Sequence, residues 1–271
     1  MRKAGIALSA FALAMTLGAC GDNGSGDTSS GNGSNASAGA VNLAALANSI
    51  GDETSEASSA HMTITASAAG QDISGAGDLK FGDADAAIAM DMTTAQGSIS
   101  MVFVDGVLYM KLPQELVPGK PWLKIDPNSE SVLAKALGSL NESLSKNADP
   151  RAALQEFENS GEITDTKEEE LDGKKTTHYT ITVDVRKMAD NQSDPTQKKA
   201  MQDAIDSGMK DFPVDVWLDE KGLPVRFALE TPTPDGQGGM TSVKMQVDYT
   251  DWGKPVDIAP PPADQTTEPP A

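Results

Sequence analysis

Along much of the chain hydrophobic residues recur at every second position. Ile88, Met90 and Met92 alternate with small or acidic residues, and Ile99, Met101 and Phe103 repeat the pattern after the turn at Gln96-Gly97. This period predicts half-buried antiparallel strands. Asp105-Gly106 then predicts a tight hairpin, because a type I′ turn needs positive φ at both central positions. It leads into a strand carrying Leu108, Met110 and Leu112. The pattern returns at Tyr179, Ile181, Val183 and Val185, at Val214, Val216 and Leu218, at Leu223 to Leu229 with Phe227, and at Val243, Met245, Val247 and Tyr249. Every long strand has one apolar face and one wet face. By the same alternation Trp217 points away from Val216 and Leu218, towards an exposed face or an edge.

Helical spacing interrupts this pattern. Val132, Leu133, Ala136, Leu137, Leu140 and Leu144 follow the i, i+3, i+4, i+7 rule behind Asn128-Ser129-Glu130, a cap. A shorter turn begins near Asp149-Pro150, a third helix is expected from Asp194 to Met209, and a further short one over Val41 to Ile50. The outcome is an α+β chain of one antiparallel sheet with helices on a single face, which covers the apolar side and leaves the Thr, Asp and Lys side in water.

The ends of the chain follow other rules. Arg2 and Lys3 precede an apolar run from Ala4 to Met15, and Leu17-Gly18-Ala19 closes it before Cys20. This is a secretory leader, too short to span a bilayer comfortably. Leu-Gly-Ala-Cys resembles the bacterial lipobox, which implies a diacylglyceryl thioether, with palmitate among the acyl groups, on Cys20 and cleavage before it. Residues 21–40 contain only Gly, Ser, Asn, Asp, Thr and Ala, a flexible tether. The expected organisation is therefore a signal peptide over 1–19, lipidated cysteine and tether over 20–40, one folded domain over 41–258, and a disordered Pro-rich tail over 259–271.

Charge narrows the partners. With 21 basic against 40 acidic groups the 271-residue chain carries a formal charge of −19, which argues against nucleic acid and against attraction to anionic membranes. The anchor must then come from the lipid on Cys20. A single cysteine excludes an intramolecular disulfide and a Cys-based zinc site. No cofactor is expected.

Catalysis finds little support. The chain has no Gly-x-Ser-x-Gly elbow, no His-Glu-x-x-His and no phosphate-cradling Gly-x-x-x-x-Gly-Lys. His61 opens a strand and His178 lies on a polar strand face, where a solvated or hydrogen-bonded role is the simpler one. Asp126, Asn128 and Glu130 alternate like half a calcium loop, but the Gly and terminal Glu are missing. Glu168-Glu169-Glu170 suits a solvated turn. Trp122, Trp217 and Trp252 suit partly buried strand anchors better than a sugar or membrane contact. The rows of methionine and aliphatic residues fit either a core poor in aromatics or the lining of a pocket that adapts to its ligand.

Four segments carry a resemblance. Val104-Asp105-Gly106-Val107-Leu108-Tyr109-Met110-Lys111-Leu112, then Pro121-Trp122-Leu123-Lys124-Ile125, then Val216-Trp217-Leu218-Asp219-Glu220-Lys221-Gly222-Leu223-Pro224-Val225-Arg226, and Tyr249-Thr250-Asp251-Trp252-Gly253-Lys254-Pro255-Val256, in that order and with the lipobox, resemble the actinobacterial LppX/LprA/LprF/LprG lipoproteins. The resemblance spans most of Ala60 to Pro262. It implies a strongly curved antiparallel half-barrel with helices on its concave side, related to the lipoprotein carriers LolA and LolB. It also implies a hydrophobic cavity for lipid or glycolipid acyl chains. The residues that would line it are Ile88, Met90, Met92, Ile99, Met101, Phe103, Leu108, Met110, Leu112, Leu133, Leu137, Leu140, Ile181, Val183, Val216, Phe227 and Met245. One long acyl chain would contribute roughly 10 kcal/mol before association costs, at about 0.8 kcal/mol per buried methylene.

The resulting expectation is a lipid-anchored protein on the extracytoplasmic face of the cell membrane, a lipid carrier without turnover, with an integral-membrane lipid transporter as partner. The other class that fits is a cell-envelope adaptor or sensor whose sheet is filled by its own side chains.

Overall fold

The computed structural model describes residues 42–68, 71–82, 86–115, 117–126, 150–234 and 240–268. Cys20, the leader, the tether and the expected helix with Leu133, Leu137 and Leu140 lie outside the described residues. The described part belongs to one compact unit, Ala40–Ala271.

Its framework is a twelve-stranded open sheet. In chain order the strands are β1 (Ser59–Ala68), β2 (Gln71–Lys80), β3 (Ala87–Thr94), β4 (Gly97–Val104), β5 (Val107–Lys111), β6 (Trp122–Ile125), β7 (Gly161–Leu171), β8 (Lys174–Asp184), β9 (Asp211–Asp219), β10 (Pro224–Pro234), β11 (Met240–Thr250) and β12 (Thr266–Thr267). They lie in the order β12-β6-β5-β4-β3-β2-β1-β11-β10-β9-β8-β7. Two antiparallel meanders, β1 to β6 and β7 to β11, the second with a long connection between β8 and β9, thus meet where β1 pairs with β11, Ile64 opposite Val247. The sheet does not close, and the fold is an α+β half-barrel.

Register turns the alternation into a surface. Leu79 faces Ile88, Ile88 faces Phe103, Phe103 faces Leu108 and Leu108 faces Ile125. Across the middle Ile64 faces Val247, Val247 faces Phe227, Phe227 faces Val216 and Val216 faces Tyr179. One apolar face therefore runs through both meanders. The Asp105-Gly106 hairpin has φ of 53° and 73°, as a type I′ turn requires. Curvature has a local cause in β2, where Gly77 stands opposite Met90. A Cβ on Gly77 would overlap the carbonyl oxygen of Ala89, so only glycine lets β3 approach this closely.

The opposite face is polar, and its cross-strand pairs tie neighbours together. His61 Nδ1 lies 2.8 Å from Asp78 Oδ1, Ser100 donates to Asp91, and Arg226 pairs with Asp248, which also accepts from Gln246.

Four helices complete the described part: α1 (Leu43–Ala57), α2 (Pro150–Glu156), α3 (Val185–Asn191) and α4 (Pro195–Asp206). Asn42 caps α1 by accepting from the Ala45 amide at 2.8 Å, and Ser58 in the left-handed region ends it. Leu43, Leu46, Ala47 and Ile50 of α1 and Leu154 of α2 pack on Ile181, Val183, Val214 and Val216. Gly161 permits this contact, since a Cβ there would stand 3.0 Å from both Leu43 Cδ2 and Ile181 Cγ2.

Five expectations need correction. The helix expected over Val41 to Ile50 continues to Ala57. Val185 begins α3 instead of ending a strand, because the Asp184 carboxylate accepts from the Arg186 and Lys187 amides and starts a helix there. Glu168-Glu169-Glu170 belongs to β7, and the turn falls at Asp172-Gly173, both at positive φ. The tail is not uniformly disordered over its described part, and the sheet is not purely antiparallel. Beyond the prolines a short 3₁₀ turn, Ala263–Gln265, brings β12 parallel to β6, where Thr266 opposes Trp122. Thr266 donates to the Pro262 carbonyl and its own carbonyl accepts from Lys120 Nζ, which holds this β-branched pair on the edge.

Candidate functional site: an apolar cavity between two cores

The apolar face is packed into two clusters. One joins Ala60, Leu79, Phe81, Ile88, Met90, Met101, Phe103, Leu108, Leu123, Ile125, Val247 and Tyr249. The other joins α1 and α2 to β8 and β9. Phe227 packs against both.

Between them lies a cavity of about 370 Å³. Its floor is Phe212 and Val214 of β9, Phe227, Ala228 and Leu229 of β10, and Met245, Val247 and Tyr249 of β11. Glu156 and Phe157 at the end of α2 and Met188 of α3 form its walls. The aromatic walls are braced. Phe157 meets Phe212 edge-on at 6.1 Å, and Tyr249, edge-on to Phe227, stacks on Trp252, which stacks on Phe81. The Trp252 indole donates to the Pro224 carbonyl at 2.9 Å, which anchors the row. Glu156 is exposed and is the only ionised side chain among these lining residues.

Of the residues expected to line a cavity, Phe227 and Met245 do so here. Leu108, Ile181, Val183 and Val216 are fully buried in packed core, and Ile88, Met90, Met101 and Phe103 are buried with them. Met92 and Met110 pack beside the first cluster, and Ile99 and Leu112 are half-buried. The reason is that α1 fills the space over β8 and β9, while β3 to β5 pack on one another's side chains. Val214, Leu229, Val247 and Tyr249 belong to the apolar alternation of the sequence, and Phe212 extends it by one step beyond Val214. Phe157 and Met188 come from short helices whose docking no local pattern reveals.

A second cluster stands on the polar face. His178 is buried, stacked under Trp217 with ring centroids 4.0 Å apart. Its Nε2 lies 2.8 Å from Asp215 Oδ1, which also accepts from Thr180 Oγ1. Its Nδ1 lies 3.0 Å from Glu169 Oε1 but is angled outside hydrogen-bond geometry. The Trp217 indole donates to Glu169 at 2.6 Å, and this bond, followed by the one from Lys167, holds the Glu169 carboxyl below its usual 4.5. Trp217 lies on the polar face as its parity requires, but half-buried instead of bare. The hydroxyl of Thr180 is directed to Asp215 and not to the ring. The cluster clamps β7, β8 and β9.

No family model matches the chain. It is 24% identical over 186 residues to the 31.2 kDa protein of the rplA-rplJ intergenic region of Streptomyces griseus, covering 66% of this chain and 59% of that relative's length. Among solved structures, LprF from Mycobacterium bovis aligns over 81% of this chain and 96% of its own, at 13% identity and a TM-score of 0.48. LprF is one of the lipoproteins that the sequence segments resemble. The complex of MucA and MucB from Pseudomonas aeruginosa aligns over 82% of this chain and 59% of the matched chain, at 13% identity and a TM-score of 0.33.

Proposed function

We propose that this chain is a lipid-anchored protein of the extracytoplasmic membrane face that binds lipid or glycolipid acyl chains and carries them, without turnover, towards an integral-membrane lipid transporter. The observation that carries the reading is the cavity of about 370 Å³ on the apolar face of the sheet, with Glu156 its only ionised lining residue. A pocket of this size lies within the range of small-molecule sites, which are lined mostly by apolar side chains. Anchoring follows from the lipobox at Cys20, and more than one acyl chain on that residue is needed for stable attachment. An adaptor or sensor is favoured by a different observation, the dense filling of the face around Leu108, Ile181 and Val216.

Native mass spectrometry of the full chain carrying Cys20→Ala tests the binding. A co-purified lipid supports the carrier, whereas a chain that stays empty when offered lipid favours the adaptor. Fractionation tests the anchor: wild type pellets with membranes, and the Cys20→Ala chain is released or left uncleaved. A variant that is processed and pelleted like wild type refutes the anchor.

A further inference from the structure

We propose that the face of β4 to β6 turned away from the cavity, centred on Tyr109 and Trp122, docks on the head-group layer of an anionic phospholipid membrane and sets how the tethered domain stands on it. The proposal rests on the anchoring reading and goes beyond it, since a lipid on Cys20 holds the chain near a membrane without presenting any particular face to it.

The sheet face opposite the cavity is polar over most of its strands, but not at this end. The alternation that buries Met101, Phe103, Leu108, Leu123 and Ile125 turns Val102, Val104, Val107, Tyr109 and Trp122 to the other side. Register makes one patch of them. Val104 opposes Val107 and Val102 opposes Tyr109, while Tyr109 and Trp122, opposite Lys124 and Lys111, are diagonal neighbours on adjacent strands. All five are half-buried, and none packs on either core cluster.

The two rings differ from the other described aromatic residues, each of which belongs to a core cluster or a ring pair. The indoles of Trp217 and Trp252 donate to Glu169 and to the Pro224 carbonyl. Neither the Trp122 N–H nor the Tyr109 hydroxyl has a hydrogen-bond partner among the described residues. A ring with an apolar body and a free polar tip suits the boundary between head groups and acyl chains.

Charge selects the kind of surface. Strands β4 to β6 carry Lys111 and Lys124 and no carboxylate, and Lys120 shortly precedes β6, in a chain with 40 acidic groups. Lys111 is exposed and makes no ion pair among the described residues, Lys124 lies 3.5 Å from Asp126, and Lys120 donates to the Thr266 carbonyl. Asp105 and Glu115 stand in the flanking loops. Lysine is depleted at protein–protein contacts but is attracted to anionic lipid surfaces, which favours a membrane over a protein partner. The chain's charge of −19 opposes approach from a distance. At contact, only charges within a Debye length of about 8 to 10 Å still count. The tether supplies the effective concentration that so small a contact needs.

The lipidated mature chain is reconstituted through its own anchor into mixed vesicles of phosphatidylcholine and phosphatidylglycerol whose acyl chains are brominated near the head group. Flotation checks the anchor, and tryptophan emission is compared with that in unbrominated vesicles. Trp122 should be quenched, Trp122→Phe should lose the quenching, and high salt should weaken it. Lys111→Gln keeps the reporter and alters an exposed side chain that pairs with nothing described, so it should fold and lower the ratio of docked to undocked chain about fivefold. Quenching that survives Trp122→Phe places the contact on another face and overturns the proposal. Equal quenching in vesicles of phosphatidylcholine alone overturns its anionic part. A chain that floats with the vesicles but is not quenched overturns the docking and leaves the anchor standing; a Trp122 emission that then shifts with protein concentration would assign the face to a second copy. A chain that does not float overturns the anchor and the docking together.

Discussion

Replacing Gly77 by alanine tests the physical basis of the curved sheet. A Cβ at this position would overlap the Ala89 carbonyl oxygen and stand 2.7 Å from Met90 Cα and 3.0 Å from the Ala89 carbonyl carbon. All three are backbone atoms of β3, so no rotamer change relieves the overlap. Elsewhere in a strand, alanine for glycine stabilises by about 0.5 to 1 kcal/mol through the smaller loss of chain entropy. Here overpacking costs about 1 to 3 kcal/mol, and parting β2 from β3 weakens hydrogen bonds that contribute about 0.5 to 1.5 kcal/mol each. The net expectation is a loss of about 1 to 3 kcal/mol, or roughly 3 to 10 °C in Tm for a unit of this size. Urea unfolding followed by far-UV circular dichroism, with the slope checked for constancy, measures it. Gly106→Ala is the control: nothing lies within 4 Å of its Cβ, and only the positive φ of 73° costs energy there, about 1 to 2 kcal/mol. A Gly77→Ala chain as stable as its parent, or more so, would refute the close approach and the curvature argued from it.

Three further expectations concern other elements. Deleting the chain beyond Pro262 removes the parallel rungs on β6 and should cost about 1 to 2 kcal/mol, with faster amide exchange at Leu123 and Lys124; unchanged exchange there means β12 adds nothing. Asp184→Ala removes the carboxylate that accepts two amides at the start of α3 and should destabilise by about 1 kcal/mol, read from chemical denaturation; a loss near zero would show the cap to be idle. The Glu169 carboxyl is lowered first by the Trp217 indole, so its contribution to stability is present above the ordinary carboxylate value and is lost as pH falls through the depressed folded value. Trp217→Phe should move the Glu169 titration up towards 4.5, followed by carboxyl-carbon NMR, and an unmoved midpoint would discount the indole bond.

Legibility in the sequence followed the balance between local pattern and tertiary demand. Strands β3 to β5 and β8 to β11 alternate cleanly because one face is buried and the other wet, and the Asp105-Gly106 turn has few alternatives. Strand β7 hides because it is an edge: Lys167 to Glu170 leave both faces polar, which discourages pairing with another chain but also erases the period of two. Helix α3 hides because Val185 extends an apolar alternation until the Asp184 cap overrides it. Of the cavity floor, Phe227 and Met245 are among the residues the resemblance marks for a lining and Val214, Leu229, Val247 and Tyr249 share their parity, whereas its walls, Phe157 and Met188, depend on how short helices dock. Most of the rows expected to line it are filled core, since apolar residues at strand spacing pack against whatever covers them first.

The pairing of β1 with β11 has a consequence for how the protein is made. Each meander pairs strands that follow one another in the chain, with α3 and α4 between β8 and β9, so each can form from contacts closer in sequence than the join. The join between them brings Ile64 to Val247 across most of the folded chain, and contacts so distant in sequence close slowly. A chain leaving the ribosome, or crossing a membrane unfolded from its N-terminus, would hold β1 with one bare side until its last long strand arrives. Pulse-labelled hydrogen exchange during refolding should find amides of β1 and β11 protected after those of the β3–β4 hairpin. The cavity floor on β9 to β11 lies within the second meander, but the row from Tyr249 through Trp252 to Phe81 that braces it spans both, so the bracing is complete only when that join closes.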